Sequence, residues 1–201
     1  LTLTWDNAVL DVGTTNLTGN LALSAGGDVT DSGVLTVAGT SSFASTLADA
    51  DITVDQLAST GAVSLSTTGT SGAATVVNAI ALDLGASTVN GALIATATTG
   101  GITDSGTVTA TGTSSFTTTV VDESIELDLL ASTGAVALTT TGPIGAATVV
   151  NAIALDLAAS TVDGNLLATA TTGGITDSGT VTVSGTSSFT TSAGNADIDL
   201  G

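Results

Sequence analysis

The chain has 201 residues, 18 Asp plus Glu, and no Lys, Arg, His or Cys. A formal charge of −18 without one cationic side chain excludes phosphate-displacing contacts to nucleic acid, cationic clamps on anionic substrates, and attraction to anionic membranes. It also excludes Ser-His-Asp and Cys-His nucleophile systems, His- or Cys-ligated zinc, and any disulfide framework.

Charged residues are only 9% of the chain and hydrophobic ones 42%, which is too apolar for a disordered acidic tail. Aromatics are only 2%, so the expected core is thin and layered with small aliphatics. No apolar run is long enough for a transmembrane helix, and membrane insertion is not expected. The text opens inside a strand, Leu1-Thr2-Leu3-Thr4-Trp5, and reads as a segment of a longer chain.

In chain order, the first recognisable block is Asn7 to Gly13, which matches Asn78 to Gly85 with one residue deleted. Next comes Thr30-Asp31-Ser32-Gly33, which returns around Asp104 and again around Asp177, at an even spacing of about 73 residues, long for a single solenoid coil. Gly-Thr-Ser-Ser-Phe recurs at the same interval, with Phe43, Phe116 and Phe189. Leu57 to Val63 returns as Leu130 to Val136, and Gly72 to Leu84 is identical to Gly145 to Leu157. The chain is therefore one continuous array, with units at 17–89 and 90–162 and a partial unit at 163–201.

Within a unit the text alternates with period two, as a half-buried strand requires. Ile153, Leu155 and Leu157 fall on one side and Asp156 on the other. Val181 and Val183 oppose Thr180, Thr182 and Ser184. Gly100-Gly101, Gly173-Gly174 and the Asp-Ser-Gly triplets punctuate these runs as turns. The predicted fold is all-β, a parallel β-solenoid of the right-handed β-helix kind. Tandem small β-sandwich domains are the alternative. A sandwich made from one unit would want an aromatic core and linker text, whereas a solenoid needs inward aliphatics and Gly or Asp at corners. Three or four coils of roughly 18 to 24 residues would fill a unit.

The run Gly173 to Phe189, Gly-Gly-Ile-Thr-Asp-Ser-Gly-Thr-Val-Thr-Val-Ser-Gly-Thr-Ser-Ser-Phe, resembles the repeats of large bacterial surface exoproteins, the filamentous-haemagglutinin-like adhesins. Many of these leave the cell by two-partner secretion. The resemblance covers most of the chain in three copies. It implies a right-handed parallel β-helix, extracellular or cell-surface location, and roles in adhesion, biofilm or fibre formation.

Few positions invite chemistry. Asp31, Asp104 and Asp177 are either calcium ligands at solenoid turns or acceptors in Asx-turns. The densest acidic patch is Asp122, Glu123, Glu126 and Asp128, a candidate calcium site or a solvated acidic face. Its counterparts are Asp49, Asp51 and Asp55 in the first unit, and Asp197 and Asp199 in the third. Paired carboxylates also occur in glycosidases, but a catalytic pair would appear once and not in every unit. No other cofactor is expected, and no enzymatic activity. Thr pairs such as Thr96/Thr98, Thr107/Thr109, Thr169/Thr171 and Thr180/Thr182 suit an ice-binding face or plain exposed strands. Asn78 and Asn151 suit turns or an internal amide ladder. The expected partners are further copies or continuation into a longer fibre, and a host-cell, matrix or polysaccharide surface.

Overall fold

In the computed structural model, which describes residues 1–6 and 8–201, every regular element is a β-strand. Asn7, the first residue of the N-terminal match, lies outside the described residues. The strands form two parallel sheets of 12 and 14 strands, called here the first and second sheet, wound in about nine coils. The chain crosses from one sheet to the other at each corner. Every pairing is parallel, so the small antiparallel sandwich is excluded and the solenoid holds. Coils differ in length: the step to the next coil runs from Ala147 to Leu166 in one place and, longer, from Ile102 to Ile125 in another.

The period-two reading explains the burial. In Leu93–Ala97 the odd positions Leu93, Ala95 and Ala97 are buried and Ile94 and Thr96 face out. One core of Leu, Val, Ile and Ala runs without a break from Leu10 to Ile175. Phe43 and Phe116 lie inside it, both fully buried. No helix among the described residues is long and apolar enough to cross a membrane.

The coil count per unit is neither three nor four. One unit contains seven crossings between corners: Leu93–Ala97, Ile102–Asp104 with Val108–Ala110, Ser114–Val121, Ile125–Ser132, Val136–Thr141, Ala147–Asn151, and Leu155–Leu157 with Ser160–Val162. These alternate between the sheets, so a unit spans three and a half coils. The next unit therefore starts on the opposite sheet. Asp31 lies on the second sheet, Asp104 on the first and Asp177 on the second. Equivalent residues of adjacent units sit on opposite faces, about 17 Å apart along the axis for coils stacked at about 4.8 Å.

Two corner devices hold the coils in register. Asn78 and Asn151 are fully buried at corners and do not form a ladder with each other. Asn78 Oδ1 accepts the Ser59 N–H at 2.8 Å, and its Nδ2 donates to Ser59 O and Ala81 O. Asn151 repeats these bonds on Ser132 and Ala154. Elsewhere glycines stack directly: Gly112 N donates to Gly91 O at 3.0 Å, and a Cβ on Gly112 would come within 2.5 Å of the Gly91 carbonyl carbon. That neighbour is backbone and cannot swing away. Gly112→Ala is therefore expected to cost about 1–3 kcal/mol in urea denaturation. Gly19→Ala, whose Cβ would meet nothing within 4 Å, should stay within about 0.5 kcal/mol.

Candidate functional site

With no cation to pair with, the carboxylates turn to backbone N–H groups of neighbouring coils. Asp104 Oδ1 accepts the Asp128 N–H at 2.9 Å, and Oδ2 accepts the Leu129 N–H at 2.9 Å. Asp31 repeats this on Asp55 and Gln56, both at 3.0 Å. The donors sit at irregularities of Ile125–Ser132 and Ile52–Ser59, where the ladder to the following coil shifts register. The Asx-turn expected for these residues is replaced by a two-pronged clamp on the next coil, because the carboxylate points along the stack and not back into its own turn. Burial holds both carboxyls above the ordinary Asp range, outweighing these N–H bonds, and the nearby Asp55 and Asp128 carboxylates push the same way. Asp177 stands at the equivalent position in the third unit, close to Gly201.

Corner carboxylates act similarly. Asp49, in the left-handed region at φ 64°, accepts N–H bonds from Thr70 and Ser71 at 2.7 and 2.9 Å. Those bonds hold its carboxyl below the ordinary value. Asp28 accepts from Asp51 N, Asp51 from Ala73 N, and Asp163 from Gly142 N.

The acidic patch of the second unit is dispersed. Asp122, at φ 70°, accepts the Ile144 N–H at 3.2 Å, and Glu123 follows it on the same turn. Glu126 and Asp128 point out from the next strand. Among the described residues, no three acidic side chains gather closely enough to hold a metal ion. Two Asp residues on strand faces, Asp83 and Asp156, leave Oδ1 buried without a hydrogen-bond partner. As clamps on backbone, the carboxylates should tolerate loss of charge better than loss of acceptors. Asp104→Asn keeps one acceptor but sets its NH2 against the second N–H, so it should cost about 1 kcal/mol in chemical denaturation, and Asp104→Ala, which loses both bonds, should cost more.

The acidic residues segregate by face. Strands carrying Asp or Glu are Leu10–Val12, Val29–Asp31 and Ile52–Ser59 on the second sheet. They are then Leu82–Leu84, Ile102–Asp104 and Ile125–Ser132 on the first, and Leu155–Leu157, Ile175–Asp177 and Ile198–Asp199 on the second again. The strands directly opposite carry none. Thr2–Trp5, Leu21–Ala25, Ser41–Ala48 and Val63–Thr68 make an uncharged face on the first sheet. Ala74–Asn78, Leu93–Ala97, Ser114–Val121 and Val136–Thr141 make one on the second, and Ala147–Asn151, Leu166–Ala170 and Ser187–Thr191 return it to the first. Within a unit, acidic and neutral crossings alternate between the sheets; at each exchange two neutral crossings follow one another, Val63–Thr68 then Ala74–Asn78 and Val136–Thr141 then Ala147–Asn151, and the acidic and neutral faces change sides.

The neutral face is built of small residues in register. Thr96, Thr117, Thr139, Thr161 and Thr182 form one continuous outward column through five coils, its upper end running onto the acidic stretch. The neighbouring column reads Thr75, Ile94, Ser115 and Ala137. Paired Thr columns, as an ice-binding face would use, are not assembled.

A family model described as "Repeats of unknown function (DUF5649)" matches residues 1–66, 71–142 and 144–201. No curated protein and no solved structure matches the chain.

Proposed function

The chain belongs to this family of repeats of unknown function, and from that premise we propose that it is a structural and adhesive segment of an extracellular bacterial fibre. The observation that carries the reading is the unbroken core. A single column of buried aliphatics passes through every unit boundary, so the units are one stack and not beads on a string. Stability in such a stack is a sum of neighbour interfaces, and length is added without a new fold. The surface distributes its carboxylates along the stack, which keeps rods soluble and their acidic faces apart. It presents hydroxyls and short aliphatics to a host-cell, matrix or polysaccharide surface. The absence of Lys and Arg leaves no site for trypsin-like proteases, a property suited to an exposed fibre. The role is mechanical and needs no catalytic group.

Arrays carrying increasing numbers of the repeat unit test the rod. Electron micrographs should show length growing by about 17 Å per unit at constant width. Globules of growing diameter would sink the reading. Adhesion is tested separately, by flowing the same arrays over polysaccharide-coated and matrix-coated sensor surfaces. Retention should rise steeply with unit number, as multivalent contact requires. Retention no greater than that of an unrelated acidic protein would remove the adhesive half.

A further inference from the structure

We propose that the neutral faces are self-association surfaces, through which a second copy of this chain packs laterally, sheet face on sheet face. The inference rests on the rod reading above and names its partner.

Charge decides which surface can serve. Two copies meeting acidic face to acidic face would oppose carboxylates, with no Lys, Arg or His on either side to separate them. Close like charges across a contact are strongly disfavoured. Neutral face on neutral face opposes no strand carboxylates and leaves only the repulsion between whole chains and their corner carboxylates, such as Asp49 and Asp122, which salt screens. The outward residues of these faces are mostly Ser, Thr and Ala, and both faces repeat at the same coil spacing. Ile94 and Leu167, at equivalent places on successive neutral faces, are 45% and 42% exposed and supply apolar contact.

The area sets the strength. A neutral patch one strand wide and four coils high covers roughly 300 Å² per partner. That is well under the roughly 800 Å² per partner of a stable complex. One unit therefore associates weakly, and binding accumulates along the rod as successive patches engage. Because the patch changes sides with each unit, a rod is joined by one neighbour on one side and another neighbour on the other. The product is a staggered layer of rods and not a closed dimer. The odd number of half-coils gives this geometry directly: with an even number, every neutral patch would face the same way.

The experiment is sedimentation velocity of the 201-residue chain at pH 7, at low salt and at about 0.5 M NaCl, where screening is short-ranged. At high salt the weight-average mass should rise with chain concentration, at least about twofold, and remain monomeric at low salt. Ser42, Ser115 and Ser188 face outward on the three successive neutral patches. The triple variant Ser42→Asp/Ser115→Asp/Ser188→Asp should abolish the rise, and the uncharged Ser→Asn triple should retain it. Thr36→Asp/Thr109→Asp/Thr182→Asp adds the same charge to acidic stretches and should associate once salt is matched to screen it. Circular dichroism melts establish that each variant is folded. Association lost equally in both Asp triples, or kept in both, overturns the proposal, as does a wild-type chain that stays monomeric throughout. Small-angle scattering of the monomer at low salt reports the rod independently, so a rod that does not associate refutes the lateral surface alone.

Discussion

Acidification from pH 7 to about pH 4.5 should raise the melting temperature, by roughly 5 °C for a gain of ~2 kcal/mol in a chain of this size. Two effects share this sign. The first is self-repulsion: a charge of −18 with no opposing cation weakens the compact state, and protonation relieves it. The second is linkage. Burial raises the carboxyls of Asp31 and Asp104 in the folded chain. The folded state then takes up protons at a higher pH than the unfolded state. Stability must rise as pH falls through the folded value towards the unfolded one. Asp49 works in the opposite direction. Its carboxyl is lowered by the Thr70 and Ser71 N–H groups, so its contribution is present above the unfolded value and lost as pH falls through the folded one. That loss lies below the window of the first two effects and opposes them there. Melts followed by far-ultraviolet circular dichroism across pH 3 to 8 read all three. Asp31→Asn/Asp104→Asn should flatten the slope, and about 0.5 M NaCl at pH 7 should recover part of the gain by screening. A melting temperature that falls steadily from pH 7 downward would contradict the scheme.

The repeat, the parallel solenoid and the inward aliphatics were legible because each depends on text within a few residues, such as Leu155-Asp156-Leu157, or on identity at fixed spacing. The half-integral coil count was not. The repeat period records where the text returns, and nothing in it says which sheet it returns to. Counting corners between strand-like runs would have given seven, and the odd number is the missing signal. The roles of Asp31 and Asp104 escaped for a related reason. The partners of Asp31 lie 24 and 25 residues away, one coil on, so the local text could suggest only a turn or a calcium ligand. The neutral and acidic faces were hidden for longer still, since they appear only when every second crossing is read together. The acidic patch at Asp122 to Asp128 was open to two readings, a calcium site or a solvated acidic face. Asp122 and Glu123 lie at a corner and Glu126 and Asp128 on the strand after it, a division that spacing in sequence does not display.

The largest single-site loss is expected at Phe116. Its ring is fully buried in the middle of the stack, between Ala95 and Leu138 of the adjacent coils. Phe116→Ala removes apolar surface and leaves a cavity that two flat ladders cannot close, at a cost of about 3–5 kcal/mol. In a globular domain that cost would lower one cooperative transition. In a one-dimensional stack it weakens two particular interfaces, so the coils on either side become separable units. Urea denaturation followed by circular dichroism should therefore broaden or split, with a smaller apparent m-value, instead of shifting intact. The repeat supplies its own controls. Phe43 occupies the same place one unit earlier, also fully buried between Leu23 and Leu65, and Phe43→Ala should behave alike. Phe189 rests on Ala168 in the last coil and is only partly buried. Phe189→Ala should cost less than half as much and leave the main transition cooperative. Equal costs at all three positions, each with an unchanged m-value, would mean that units fold independently, and the continuous core on which the fibre reading rests would have to be abandoned.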